Sequence, residues 1–547
     1  MGRGIRPKEL WLAICGMTFL TPWTAHAEHP CARCHPKEVA GFAVTQMARS
    51  LGPPKPGLSG KYIHAVSGTV FTIETPGSGM VQRIKRGAAT GEYKIPYALG
   101  SGTHAFAYLM ELNGHLFQSP LGTFAGRGWG MSPGFENDRA PDFYRPVTRD
   151  CLFCHSGRAR PVEGTFNTYR DPPFEAEGIT CERCHGPSDA HLQNPVPGSI
   201  INPASLAPRA RASVCEQCHL AGEERIPNPG KQLSDFRPGM ELEEVYTVYI
   251  NKASRDANGP NPLRVVSQVE QLALSRCARE SPAKLWCGTC HDPHAMPANP
   301  KTYFRERCLA CHGLGLRAKH PKPNFDCIGC HMPRRPVSDG AHTVFTDHRI
   351  ARRPPAASRP AGSVPPAKEL VAWREPAGPD TIGAGALAER NRGLAEIKVG
   401  DRLESFPMVN EGFKLLMDCW DKFPDDPAVL TGIGKGFLVA NDGAHAAQVF
   451  EAAIEKEPNV ALHYLHSGLA WKEAREETKA IGFFEKAIAL DPQMEQPYRE
   501  LLEIYSDRHD TEKLRDTIAR YHQAFPEKLD AQRLARGVSP SMGRSVP

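Results

Sequence analysis

The stretch CERCHGPSDAH, Cys181 to His191, places two cysteines three positions apart, a histidine directly behind the second, and another histidine six residues later. The pattern C-x-x-C-H occurs seven times and uses fourteen of the seventeen cysteines. Motifs 1 to 7, in chain order, are Cys31–His35, Cys151–His155, Cys181–His185, Cys215–His219, Cys287–His291, Cys308–His312 and Cys327–His331. Chance alone does not produce such repetition, so the motifs mark one kind of site.

This pattern is the attachment signature of c-type haem. The two thiols bind the porphyrin covalently, and the adjacent histidine becomes the proximal iron ligand. Zinc sites do not place a histidine behind every cysteine pair, and a thioredoxin-like dithiol uses a single C-x-x-C. The sequence therefore predicts seven covalently bound c-type haems. The predicted thioether residues are Cys31, Cys34, Cys151, Cys154, Cys181, Cys184, Cys215, Cys218, Cys287, Cys290, Cys308, Cys311, Cys327 and Cys330, and the predicted proximal ligands are His35, His155, His185, His219, His291, His312 and His331.

The N-terminus is typical of an exported protein. Basic residues at Arg3, Arg6 and Lys8 precede a short apolar run, Leu10 to Leu20, and an Ala-His-Ala cleavage site ends at position 27. This arrangement predicts a signal peptide over residues 1–27, and the run is shorter than a membrane helix requires. We expect a periplasmic or otherwise exported protein with no membrane span after cleavage, because c-type haem is attached outside the cytoplasm.

The composition indicates the kind of partner. The net charge of +5 is spread over 547 residues without a basic stripe, which argues against nucleic-acid binding. Basic patches on electron carriers more often steer them to acidic redox partners. We therefore predict redox protein partners.

The chain divides at a Pro/Ala-rich stretch, Arg352 to Leu370, which follows all seven motifs. The predicted organisation is a seven-haem domain at 28–350 with a β insertion at about 60–125, and a linker at 351–389. Between residues 149 and 333, Pro and Gly are frequent, so we expect short helices and an interior filled largely by haem. The predicted fold is mainly α, with irregular haem-wrapping loops and a small β region, followed by an α-solenoid.

The solenoid prediction comes from a repeat. Pro424, Pro458, Pro492 and Pro526 are 34 residues apart, the period of the tetratricopeptide helix–turn–helix. We predict repeats over residues 390–528, which would dock one of the redox partners, and a disordered tail at 529–547. Cys419 falls at the offset of Ala453 and Ala487 and is predicted to be a small core residue.

Each haem iron has a sixth coordination position, and its occupant separates electron transfer from small-molecule chemistry. In the predicted seven-haem domain at 28–350, called the front region below, nine histidines lie outside the motifs, which is enough for seven irons. The candidate distal ligands are His64, His104, His191, His294, His320, His342 and His348. His29, His115 and Met47 are alternatives, and Cys277 is either a buried free cysteine, a thiolate ligand or a disulfide partner.

The segments EGITCERCHGPSDAH, CGTCHDPH and CIGCHMP resemble bacterial multihaem cytochromes c, which include the tetrahaem cytochrome linked to hydroxylamine oxidation and the pentahaem nitrite reductases. YALGSGTHAFAYLMELNGHLFQSP and AHTVFTDHRI look more like exported members with a C-terminal tetratricopeptide domain. The resemblance implies bis-histidine haems in closely packed pairs. The nitrite reductases typically replace one motif histidine by lysine, whereas all seven motifs here end in histidine.

Three functions compete. The first and preferred one is electron transfer between redox partners, because the histidine count covers every iron. The second is a multihaem oxidoreductase acting on a small nitrogen or sulfur compound at one five-coordinate haem, with Tyr144, Arg145 and Arg149 near motif 2 available to bind substrate. The third is an assembly factor in which the repeats act and the haems sense redox state.

Overall fold

The computed structural model describes residues 29–77, 79–255, 263–281, 284–317, 325–340, 342–352, 369–376 and 384–536. The predicted signal peptide, most of the predicted linker, the candidate ligand His320 and the last eleven residues of the chain, 537–547, lie outside these ranges. In the described part of the chain, no helix combines the length and apolarity needed to cross a membrane.

Two antiparallel sheets follow motif 1. β2 to β5 form a four-stranded sheet in sequence order, and β1, β6, β7, β8 and β11 form a second sheet to which β9 and β10 attach. The strands are β1 Leu51–Gly52, β2 Gly60–Ile63, β3 Val70–Glu74, β4 Met80–Arg86, β5 Ala89–Ile95, β6 Tyr97–Leu99, β7 Ala105–Leu112, β8 His115–Gln118, β9 Leu121–Phe124, β10 Gly128–Met131 and β11 Arg145–Pro146. In β5 buried and exposed residues alternate, as expected for a strand with one face on a core.

The sheet region is larger than the predicted insertion at about 60–125. It begins at Leu51 and its last strand ends at Pro146. The outer strands were missed because they are two to four residues long and lack a full alternating pattern. The core between the sheets is built from large aromatic side chains that include Phe71, Tyr108 and Phe143, each fully buried.

The remaining motifs lie on mostly short helices joined by irregular chain, as predicted. The helices of the front region are α1 Pro36–Ala43, α2 Arg149–His155, α3 Glu182–His185, α4 Asp189–Gln193, α5 Pro208–His219, α6 Gln268–Leu274, α7 Arg276–Glu280, α8 Cys287–Cys290, α9 Pro300–Arg317 and α10 Cys327–His331. Further strands are β12 Arg158–Pro161, β13 Tyr169–Ala176, β14 Glu224–Pro227, β15 Tyr246–Asn251, β16 Arg334–Pro336, β17 Val344–Thr346 and β18 Leu370–Ala372. The longest helix of the front region, α9, is kinked at Gly313, the residue that follows motif 6.

The C-terminal region is helical. Its helices are α11 Ala384–Arg402, α12 Phe406–Cys419, α13 Pro427–Val439, α14 Gly443–Lys456, α15 Ala461–Glu473, α16 Glu477–Leu490, α17 Glu495–Asp507, α18 Thr511–Ala524 and α19 Leu529–Ala535. The first helices of the last three pairs begin 34 residues apart, and so do the second helices. A Cβ atom at Gly468 would lie 2.5 Å from the Phe484 ring, so this position needs glycine. Cys419 is fully buried, which confirms its predicted place in the core.

Two predicted boundaries need correction. Within the predicted linker, β18 pairs with β15, because Leu370 is apolar and almost fully buried there. The tail predicted as disordered from residue 529 instead begins with α19, whose residues Leu529 and Ala531 are buried. Both segments were misjudged because their apolar residues are few and find their partners in distant parts of the chain.

The helical region packs on the front region near both of its ends. The first helix, α11, shares a core with Ile226, Tyr249 and Leu370 of the β14–β15–β18 sheet. Arg390 on α11 donates to the carbonyl oxygen of Pro227 at 2.8 Å. These buried contacts join the first helix of the helical region to the front region.

The loops before α15, α17 and α19, which carry Pro458, Pro492 and Pro526, form the edge of the helical region that contacts the front region. Gly164, with a positive φ of 77°, lies against the carbonyl of Asn459 in the loop before α15. In the next loop, Asp491 Oδ1 lies 2.9 Å from Nε2 of His115, and both side chains are buried. His115, an alternative distal ligand in the sequence analysis, therefore lies in the interface between the two regions.

The last loop completes this edge. Tyr93 donates its hydroxyl proton to Asp142 at 2.6 Å, and the Leu529 amide donates to the other Asp142 oxygen at 3.0 Å. Arg86 forms an ion pair with Asp530 at 2.9 Å. The aromatic core of the sheets therefore continues without a break into the final helices.

We expect the substitution Asp142→Ala to weaken the union of the two regions. It leaves the buried Leu529 amide without its acceptor, at about 1–3 kcal/mol, and it leaves the Tyr93 hydroxyl with the Glu527 carbonyl as its remaining acceptor. Calorimetric unfolding of the full protein should show a lower transition temperature, and limited proteolysis should release the helical region faster. Asp418→Asn, an exposed change on α12, is the control. An unchanged transition would contradict the role of Asp142.

The ion pair between Glu495 and Lys528, which lies in the last of these loops, should weaken at low pH. Burial acts to raise the pKa of Glu495, but the charges of Lys528 and Arg499 outweigh burial and hold that pKa at about 2. Because the folded pKa lies below the unfolded value of about 4.3, the stabilisation is complete above that value and is lost as pH falls towards 2. The stability difference between wild type and Glu495→Gln, measured by denaturant unfolding, should shrink over this window. Glu473→Gln, an exposed change on α15, should show no such convergence.

Candidate functional site

Each motif places its three functional side chains on about one turn of helix. In motif 3 the His185 amide donates to the Cys181 carbonyl at 2.9 Å, and motifs 1 and 5 contain the same bond. Positions i, i+3 and i+4 share a helix face, so both thiols and the imidazole point the same way. All sixteen cysteines in the described ranges are free thiols, and the fourteen motif cysteines are among them.

Three motif histidines face a histidine from another part of the chain. The rings of His35 and His191 have centroids 6.4 Å apart at an interplanar angle of 20°. His185 and His294 are 5.9 Å apart at 23°. The third pair, His291 and His348, is 6.2 Å apart at 28°.

This spacing suits a metal held between two imidazoles. A metal–nitrogen bond of about 2.0 Å on each side separates the two nitrogens by about 4 Å, and each ring centroid lies about 1 Å further out. Centroids about 6 Å apart therefore leave room for one iron. The three observed pairs match this requirement, and they join motifs 1, 3 and 5 to the distal candidates His191, His294 and His348.

The same histidines are oriented by their second ring nitrogen. Nδ1 of His185 lies 2.8 Å from the Ile201 carbonyl, and Nδ1 of His348 lies 3.0 Å from the Thr346 carbonyl. His191 engages the Ser199 hydroxyl through Nδ1 at 2.7 Å. In motif 7, His331 Nδ1 lies 2.7 Å from the Ala351 carbonyl. Such bonds fix the ring and direct Nε2 to a metal, so the donor set fits haem iron.

The motifs are neighbours in space although they are dispersed in sequence. Thiols lie next to one another between motifs 1 and 3, 2 and 4, 4 and 5, and 6 and 7; the pairs are Cys31–Cys181, Cys154–Cys218, Cys215–Cys287 and Cys308–Cys327. Cys184 lies within electrostatic range of Cys215, linking motifs 3 and 4, and Cys290 lies within range of Cys308, linking motifs 5 and 6. The seven motifs thus form one connected series, 1–3–4–5–6–7, with motif 2 beside motif 4.

The ends of this series reach the surface. The exposed thiols are Cys34, Cys151, Cys311 and Cys330, which belong to motifs 1, 2, 6 and 7. Thiols of motifs 3, 4 and 5, in the middle of the series, are all partly covered. Any chemistry carried along the motifs therefore has access to solvent or partners at both ends.

Four of the distal candidates stand outside these pairs. His64 is almost fully buried and engages Ser67 through Nδ1 and the Glu136 carbonyl through Nε2, so both of its nitrogens have protein partners in this structure. His104 stacks on Phe345, with centroids 4.1 Å apart. His342 accepts a hydrogen bond from Arg127 at 2.8 Å. His320 lies outside the described residues.

The alternatives considered from sequence have other surroundings. His29 lies beside Cys31 and Cys181, with the ligating atoms of all three within 4.8 Å of one another. Met47 is half-buried behind α1. Cys277 is half-buried on α7, where burial and the nearby Cys311 raise its thiol pKa and keep it protonated.

The polar residues considered for substrate binding near motif 2 make structural contacts. Tyr144 donates to Asp138, and the Arg145 guanidinium lies over the Phe135 ring. Arg149 donates to the Val162 carbonyl at 2.9 Å. A cavity of about 590 Å³ lies elsewhere, between Arg127 and the β16–β17 hairpin, and His342 lines it.

The sequence analysis missed one helix that contacts the motif region. The short helix α6 touches two of the histidines considered above: Gln268 faces the His219 ring, and Gln271 accepts from the His348 amide at 2.8 Å. Between these two residues is Glu270, whose side chain is almost fully buried. A polar seven-residue helix carries no motif, so no sequence signal could have identified it.

The comparisons with known proteins point the same way for part of the chain. Residues 136–186, which contain motifs 2 and 3, match the family described as cytochrome c554 and c-prime. The chain is 24% identical over 185 residues to the multiheme cytochrome MtrA of Shewanella baltica (strain OS185), covering 31% of this chain and 54% of MtrA. It thus spans about half the length of that curated relative.

Solved structures are similar over a smaller share of the chain. The tetratricopeptide protein YrrB, described as having an unusual peptide-binding site, is 15% identical at a TM-score of 0.24, covering 29% of this chain and 76% of YrrB. MamA is 18% identical at a TM-score of 0.22, covering 28% of this chain and 91% of MamA. Over part of its length, then, the chain is similar to multihaem cytochromes c, and this similarity implies covalently bound haem.

Proposed function

We propose that this protein is an exported seven-haem c-type cytochrome that transfers electrons between redox partners. The connected series of motifs supports the proposal most directly, because electron transfer through protein needs closely spaced carriers without gaps. When bound, the haems supply reversible one-electron chemistry. The chain supplies fourteen thiols that tether them, seven proximal histidines, and distal ligands that keep small molecules off the iron.

The ligand assignment follows from the ring pairs. His191, His294 and His348 would fill the sixth position at motifs 1, 3 and 5, opposite His35, His185 and His291. A protein ligand on both sides leaves no site for substrate, which favours electron transfer over catalysis at these three positions.

Partners would meet the two ends of the series, where the exposed thiols lie. We also propose that the helical region, as a tetratricopeptide array, docks one partner. Because its proline-bearing loops are already bound to the front region, the partner would use another face. On α12 Phe406 is 63% exposed and Met417 39%, which offers apolar contact area there.

Haem content and spin state test the proposal. The mass of the purified exported protein should exceed that of its polypeptide by seven haems, and electron paramagnetic resonance of the oxidised form should be dominated by low-spin signals. A smaller mass excess would mean that some motifs are unused. The absence of covalent haem would refute the proposed function altogether.

The substitution His294→Ala tests the ligand pairing. We expect one of the low-spin signals to be replaced by a high-spin signal, because the iron opposite His185 loses its second protein ligand. His445→Ala, an exposed change in the helical region, is the matched control and should leave every signal unchanged. Retention of all low-spin signals in the His294 variant would refute this pairing.

A second candidate function is a reductase or oxidase with one open haem. Within the described residues, the motif histidines His155, His219 and His312 have no histidine ring paired with them as in motifs 1, 3 and 5. A high-spin signal in the wild-type protein that shifts on adding nitrite, hydroxylamine or sulfite would establish this alternative instead.

A further inference from the structure

Glu270 occupies an unusual position for a carboxylate. It lies on α6, 4% exposed, between the residue that faces His219 of motif 4 and the residue that binds the His348 amide beside motif 5. No side chain of the described residues hydrogen bonds to either carboxylate oxygen, and the backbone amides of Glu270 itself and of Gly222 provide only weak contacts. A buried and unsatisfied carboxylate is costly, and this one contacts neither histidine directly.

The surrounding charges do not balance Glu270. The nearest cation is Arg264, whose Nη2 lies 3.6 Å from Glu270 Oε1, while its Nη1 binds Glu223 at 3.0 Å. One guanidinium therefore serves two carboxylates. Burial raises the pKa of Glu270 to about 7, although its own backbone amide, Arg264 and the Gly222 amide each oppose the shift in part.

Charged groups on the other elements around α6 are engaged elsewhere. On α5 Glu216 binds Arg374, and on α7 Arg276 binds Glu280. In the turn after β15, Lys252 binds Glu369, and Arg255 donates to the Trp373 carbonyl. Asp347, next to His348, binds Arg349. The local balance at Glu270 is thus set by Arg264 and Glu223, together with the charge on the motifs themselves.

We propose that Glu270 is a proton-uptake site coupled to electron transfer through motifs 4 and 5, an inference that rests on the proposed function. When an electron from the redox donor reaches these motifs, the Glu270 carboxylate takes one proton from solvent and forms an O–H bond. When the electron passes on, the proton is released. The charge of the buried region is thereby the same before and after each transfer.

The sign of the pH dependence follows from this coupling. Added negative charge raises the proton affinity of Glu270, so the reduced protein holds the proton up to a higher pH than the oxidised protein does. Between these two pH values, reduction consumes a proton, and raising the pH disfavours it. We expect the equilibrium constant for reducing the motif 4–5 pair to fall about three- to tenfold between pH 6 and 8.

Potentiometric titration of the intact holoprotein over this pH range tests the proposal. The variant Glu270→Gln should lose the pH dependence of these two centres, while Glu280→Gln, an exposed change on α7, should keep it. Redox-difference infrared spectra should show a protonated carboxyl band on reduction that disappears in Glu270→Gln. A pH dependence that survives in Glu270→Gln would overturn the inference.

A second variant guards against misfolding of the first. Glu223→Gln removes the carboxylate that shares Arg264, so the pH-dependent range should move to lower pH. No movement, or movement to higher pH, would also overturn the inference. A protein without reducible haem would instead refute the proposed function, which separates the two failures.

Discussion

One helical turn with two thiols and an imidazole on the same side is the constraint on which the front region depends. Each turn is too short to bury a core of its own, and several of the motif helices have four or five residues. Their positions are fixed instead by cross-contacts: thiol against thiol between motifs, and imidazole opposite imidazole. Bound haem would convert these contacts into covalent and coordinate links, and the irregular chain between motifs only has to follow them.

The helical region complements this arrangement with conventional packing. Its glycines and aromatic rings interlock at fixed offsets, as Gly468 and Phe484 do, so its core is built from protein side chains. By binding the front region through successive loops, the stack supports the sheets and the β14–β15–β18 layer at once. The front region thus depends on contacts between motifs, whereas the helical region buries a core of side chains. The contacts between the two regions stabilise the front region further.

The sequence was informative where the determinant is local. The motif pattern, the 34-residue period and the buried Cys419 all depend on residues within one or two helices, and His191, His294 and His348 could be named from their proximity to motifs. Which motif each of them faces could not be named, because the pairing depends on tertiary contacts. Nor could the sequence show that the carbonyl of Glu136, from another part of the front region, engages Nε2 of His64. The contacts of the proline-bearing loops could not be predicted either, since their partners lie hundreds of residues away in sequence.

The histidine pairs have a consequence for how the chain reaches its final form. In every pair the partner ring comes from further along the chain than the motif it faces: His191 lies opposite motif 1, His294 opposite motif 3 and His348 opposite motif 5. If the chain is exported from its N-terminus, as proposed, it presents each of these three motifs before the residue that completes it. Early motifs stay open while later ones emerge, and closing these long loops becomes a late step of assembly. Each of these three centres would then be completed only after the segment with its distal histidine has emerged.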